Sequence, residues 1–125
     1  MQTVAPNIFV KDISETIEFY KQLGFQVVDA VPDFETPIFV LMMNGEVTFM
    51  FQTFESLGDE LPEVSRQDGG SLLLYVKMEG IHPFYESIKH KIEIYRDLET
   101  TFYNAIEFSI IDNNNYVITF SEHQD

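Results

Sequence analysis

Glu107 lies in the middle of an apolar stretch, FYNAIEFSII (Phe102–Ile111), and is the side chain with most to offer chemically. A carboxylate inside a strand faces either solvent or a cavity. In the second case it pairs with a cationic ligand or, with its pKa raised, accepts a proton. Tyr75 and Tyr103 are the partners available for metal-free acid–base work. The three histidines are spread apart and do not suggest a metal site. His82 falls in the first turn of an expected helix, His90 near its end, where the terminus favours the charged ring, and His123 in the tail. All three read as surface or helix-terminal residues. The absence of cysteine removes thiolate nucleophiles, thiolate metal sites and disulfides. No Ser-His-Asp arrangement, phosphate-cradling glycine loop or nucleotide fingerprint is readable, so no catalytic residue is assigned.

The elements that must position these groups come as a repeat. NIFVKDISETIEFYKQLGF (Asn7–Phe25) and LLLYVKMEGIHPFYESIKHKIEI (Leu72–Ile94) each read as an apolar strand ending in Val-Lys, an amphipathic helix with an aromatic pair, and a further strand. In the first half, strands are expected over 3–10, 25–31, 38–43 and 47–52. Asp12 and Glu15 form a capping-box pattern at the helix start, Gly24 ends the helix, and Asn44-Gly45 turns a hairpin. In the second half, strands are expected over 71–77, 92–98, 102–111 and 116–121, with a helix over 80–90. Pro83 is tolerable in the first turn of that helix. Asp112-Asn113-Asn114-Asn115 makes another turn, because asparagine accepts left-handed backbone. The expected fold is α+β: two βαβββ modules, about 1–53 and 71–125, forming a curved mixed sheet in a single domain. Residues 54–70, rich in breakers, connect them.

A chain of 125 residues suits one domain with its own core. Twenty-one acidic residues against seven Lys and Arg give a net charge of −14, which opposes nucleic-acid binding. Glu55, Asp59, Glu60, Glu63 and Asp68 cluster in the connector, relieved only by Arg66. That cluster reads as a solvated loop or as an attraction for a cationic ligand. No apolar run approaches a membrane span and the first residues carry no export signal, so a cytoplasmic protein without membrane association is expected.

Two segments carry a family resemblance. VKDISETIEFYKQLGF (Val10–Phe25) resembles the signature V-x-D-[IL]-x-x-[ST]-[IL]-x-F-Y-x-x-L-G-F of the vicinal oxygen chelate superfamily. That superfamily contains glyoxalase I, extradiol dioxygenases, fosfomycin-modifying enzymes and the bleomycin resistance proteins. IEFSIIDNNNYVITFSE (Ile106–Glu122) resembles its closing segment, with Asn113 and Asn115 in place of the usual Pro and Gly. Metal-dependent members hold a divalent ion through His and Glu at four positions, which here fall on Ala5, Met50, Ser71 and Thr119. Such a set offers nothing suited to a divalent metal, so no metal and no cofactor are expected.

If the residues equivalent to those ligands face inward, strand alternation fills in the lining. The first half contributes Asn7, Phe9, Thr48, Met50 and Gln52. The second contributes Ser71, Leu73, Tyr75, Glu107 and Thr119, and Tyr103 matches a tyrosine frequent in the bleomycin-resistance branch. The resemblance thus implies a homodimer of the bleomycin-resistance type that sequesters a cationic or aromatic small molecule in a groove between subunits. A diverged glyoxalase-like lyase, isomerase or dioxygenase, and a non-catalytic interaction module, remain as alternatives.

Overall fold

The computed structural model describes residues 1–124. The element order is β1 (Asn7–Val10), α1 (Ile13–Gln22), β2 (Gln26–Val31), β3 (Phe39–Asn44), β4 (Val47–Thr53), α2 (Phe54–Leu57), β5 (Leu73–Lys77), α3 (Ile81–Ile88), β6 (Ile94–Thr100), β7 (Ala105–Ile111) and β8 (Val117–His123). Two compact units divide after Asp68, inside the expected connector. Each unit is βαβββ with one four-stranded sheet, ordered β1-β4-β3-β2 in the first and β5-β8-β7-β6 in the second. The strand before the helix runs parallel to the last strand of its unit, and the other pairings are antiparallel. The fold is α+β. Among the described residues, no helix is long and apolar enough to cross a membrane.

In the first unit, Asp12 caps α1 by accepting the Glu15 amide at 3.0 Å, and Gly24 leaves the helix at φ +93°. Period-two alternation on the strands and period-3.6 spacing on α1 then converge on Tyr20. Its fully buried ring meets Phe25, Phe49 and Phe51 with centroids 5.5, 5.7 and 4.7 Å away. Burying one such side chain is worth roughly 2–3 kcal/mol. The second unit repeats the device with Phe84, Tyr85, Phe108 and Phe120 between α3 and its sheet.

Several boundaries depart from expectation for local reasons. β1 starts at Asn7 because Pro6 has no N–H to extend the ladder, which leaves Ala5 off the strand. β5 starts at Leu73, not Ser71: Leu73 pairs with Val117, and continuing that register would set Ser71 against Asn115, a turn residue at φ +68°. The first hairpin turns on Gly45-Glu46, with Gly45 at φ +60°, while Asn44 closes β3 opposite Val47. The side chain of Asn44 instead donates to the Leu23 carbonyl at 3.1 Å. The connector is more ordered than its breakers suggest. Thr53 caps the short α2, and the Arg66 guanidinium donates to the carbonyls of Gly58, Glu60, Leu61 and Val64.

Each unit also carries a β-bulge at the same place in the repeat, and the second unit has a further register shift between Arg96 and Glu99. Val27 pairs with Met42 and Asp29 with Leu41, so Val28 and Asp29 share one partner. In the second unit Ile94 pairs with Ile110 and Arg96 with Ser109, so Tyr95 and Arg96 share Ser109. A bulge re-aims side chains that strict alternation would send to opposite faces.

Candidate functional site

On sheet two the register sets Tyr75 beside Thr119 and Lys77 beside Ser121. It also sets Glu107 beside Ser121, Ser109 beside Thr119, and Ala105 beside His123. These residues occupy the face turned away from α3. Tyr75, Ser121 and His123 of this set, with Tyr103, form a hydrogen-bonded cluster around one carboxylate oxygen of Glu107. Glu107 Oε2 accepts from the hydroxyls of Tyr75 at 2.6 Å, Tyr103 at 2.5 Å and Ser121 at 2.8 Å. A carboxylate is the strongest acceptor available, so each hydroxyl commits its single proton there. Tyr75 also lies 2.9 Å from Ser121 Oγ and 3.1 Å from His123 Nε2. With the phenol proton committed to Glu107, the His123 contact requires a protonated Nε2 that donates to the phenol oxygen.

The electrostatics follow from this geometry. Burial pushes the Glu107 carboxyl upward, but the hydroxyls of Tyr103, Tyr75 and Ser121, with His123 nearby, outweigh it and hold the pKa below the ordinary 4.5. The Tyr103 phenol moves the other way. Its hydrogen bond to Glu107 is the main cause, and burial adds to it. At neutral pH the cluster therefore holds an ionised carboxylate and a protonated phenol. Glu107 lies on the sheet face turned away from α3, and its lowered pKa runs opposite to the raised value attached to the proton-acceptor reading. Three donors stabilise the anion and make it a weak base.

The two oxygens of Glu107 are not equivalent. Oε2 takes all three hydroxyl bonds, and Oε1 has no hydrogen-bond partner among the described residues. Glu107 as a whole is only 9% exposed. Around it stand Tyr75 and Tyr103, each 45% exposed. An anion beside aromatic faces can attract an organic cation.

Farther along the same face lies a cavity of about 280 Å³ lined by Leu73, Tyr95, Arg96, Ser109, Val117 and Thr119. At its floor the Ser109 and Thr119 hydroxyls are 2.8 Å apart and buried. A larger cavity, about 520 Å³, belongs to the first unit, where Phe25, Val27, Phe34 and Pro37 line it. Among the described residues Lys21 is its sole charged lining side chain.

The site residues named from the sequence divide accordingly. Tyr75, Tyr103 and Glu107 come together in the cluster, and Leu73 and Thr119 line the adjoining cavity. Ser71 lies off the strand and joins neither. Asn7, Phe9, Thr48, Met50 and Gln52 share the corresponding face of sheet one, where Asn7 donates to Gln52 at 3.1 Å and Gln52 to Ser56 at 2.9 Å. Ser121, His123, Tyr95 and Arg96 were missed. Continuing the alternation from Thr119 would have found Ser121 and His123, and His123 is the end of β8 rather than a tail residue. No signal in the sequence marks the bulge that brings in Arg96.

The metal positions implied by the resemblance do not fit a divalent ion. Ala5 and Met50 offer no hard donor, and the Thr119 hydroxyl is bonded to Ser109. Among the described residues no three His, Cys, Asp or Glu side chains converge.

Two βαβββ units with a functional face on the sheet define a class of paired-module proteins. The chain belongs to the glyoxalase/bleomycin resistance protein/dioxygenase superfamily, whose profile matches residues 2–120. Solved structures agree on the fold. A protein of unknown function from Agrobacterium tumefaciens is 26% identical, with TM-score 0.78 over 99% of this chain and 95% of that one. The bleomycin resistance determinant encoded on transposon Tn5 is 17% identical, with TM-score 0.72 over all of both chains. A bleomycin-binding protein complexed with bleomycin is 16% identical, with TM-score 0.69 over 99% of this chain and 100% of that one. No curated protein matches the sequence.

Proposed function

We propose that this chain is a metal-free binding protein that sequesters an organic cation with an aromatic part. The ligand's charge rests on Glu107 Oε1 and its ring packs against Tyr75 and Tyr103. The observation that carries this reading is the split carboxylate, with one oxygen saturated by three hydroxyls and the other without a hydrogen bond among the described residues. A net charge of −14 adds long-range attraction for a cation. The bleomycin complex of a protein with the same fold supports sequestration as a mode of action. The lowered pKa of Glu107 weighs against the alternative of proton abstraction by a diverged lyase or isomerase. A non-catalytic interaction module is less favoured because the cavity is not filled by its own side chains.

The same proposal includes a cytoplasmic homodimer with the ligand in a groove between subunits, and antibiotic resistance as one outcome of sequestration. Light scattering after size exclusion tests the dimer. Chelator-treated protein titrated with phenethylammonium and with bleomycin tests the binding. Saturation tighter than about 1 mM by at least one of them is expected, weakened by Glu107→Gln. No saturation by either, or binding indifferent to that substitution, would reject the reading.

A further inference from the structure

We propose that the ligand is a zwitterion, with a carboxylate-type anion held by Arg96 while its ammonium rests on Glu107. This deepens the reading above and rests on it. Glu107 and Ser109 are two residues apart on β7, so they project from the same face about 7 Å apart. Arg96 is the cross-strand partner of Ser109, while Glu99, beyond a second register shift, is the partner of Glu107 itself. A guanidinium and a carboxylate on one sheet face can pair. They do not: among the described residues Arg96 makes no ion pair and no side-chain hydrogen bond, and Glu107 bonds only to hydroxyls.

Two further features suit an anion at the Arg96 end. The bulge turns Tyr95 and Arg96 together into the cavity above Ser109, giving a guanidinium fork with an aromatic neighbour. The Ser109 and Thr119 hydroxyls have two protons between them, and their mutual bond uses one. Whichever oxygen accepts, the remaining O–H is uncommitted at the cavity floor and available to a ligand oxygen. Leu73 and Val117 give the ligand's apolar part a wall. The counterpart of Arg96 in the first unit is Asp29, paired with Leu41, so this polarity belongs to the second unit alone.

Three probes of one size separate the possibilities: phenylalanine (zwitterion), phenethylamine (cation) and 3-phenylpropionate (anion), each titrated calorimetrically into the chelator-treated chain. Phenylalanine is expected to bind at least about tenfold tighter than phenethylamine. Arg96→Gln should erase that advantage, and Glu107→Gln should weaken both ligands. Amide shifts should localise to β6, β7 and β8. Equal affinity for phenylalanine and phenethylamine, unaffected by Arg96→Gln, would overturn the zwitterion and leave the cation reading standing. Preference for 3-phenylpropionate with indifference to Glu107→Gln, or no binding of any probe up to about 10 mM, would overturn both.

Discussion

The Tyr103 hydroxyl reaches Glu107 Oε2 at 2.5 Å across a hairpin turn in which Asn104 adopts φ +63°. The turn folds the chain back within four residues, so a phenol outside the strand joins a carboxylate inside it. Asn104 is anchored in that conformation by its Nδ2 bond to the Gln124 carbonyl at 2.8 Å. A local backbone choice thus contributes to the lowered pKa of Glu107.

Removing this bond should be visible at Glu107. Tyr103→Phe is expected to raise the Glu107 pKa toward its ordinary range, followed by NMR titration of the side-chain carboxyl carbon. The variant should lose about 1 kcal/mol of stability, the usual scale for one such hydrogen bond. An unchanged Glu107 titration would show that the other two hydroxyls alone hold it down.

The pH dependence of stability has a defined sign. The folded-state pKa of Glu107 lies below its unfolded value, so its contribution is complete above about pH 4.5 and is lost as pH falls through the folded value. Melting temperature measured from pH 7 downward should therefore fall more steeply for the native chain than for Glu107→Gln. Asp33 and Asp97 are also lowered, the first by the amides of Thr36 and Glu35 and the second by the Tyr85 hydroxyl. Both act equally in the two proteins, so the comparison isolates Glu107.

Gly69→Ala is expected to be costly. The glycine sits at φ +77°, and a Cβ there would lie 2.7 Å from the Asn115 carbonyl oxygen. The two effects together should remove more than about 1 kcal/mol, measured by chemical denaturation. A neutral effect would mean that the turn from Asp112 to Asn115 yields freely.

The connector gives a different test. Arg66 donates to four carbonyls of its own loop, so Arg66→Ala should accelerate amide exchange across 58–66 by about tenfold or more. The melting temperature should barely change, because no core residue is touched.

Much of the fold was legible because its signals are local. The Asp12 cap, Gly24, the asparagine-rich turn and the two alternating halves each report on a few neighbouring residues. The aromatic core was half legible, since Tyr20 and Phe84 fall on the right helical faces but their strand partners come from long-range pairing. Within the site, Glu107 stood out because a charge interrupts an apolar strand. Its company did not: Ser121 and His123 needed the register of β8 against β7, and Arg96 needed a bulge. Ser71 was misplaced because strand propensity says nothing about whether a partner exists to pair with. The direction of the Glu107 pKa was illegible for the same reason, since burial alone argues upward and only the three assembled hydroxyls reverse it.

The central claim is that an ionised Glu107, with one oxygen outside the three hydroxyl bonds, receives the ligand's positive charge. Titrating the Glu107 carboxyl carbon by NMR, with and without saturating phenethylammonium, tests it at the atom concerned. A bound cation should lower the pKa further and shift that resonance. Saturation of the protein with no change in the Glu107 resonance or its pKa, or failure to saturate at all, would contradict the account.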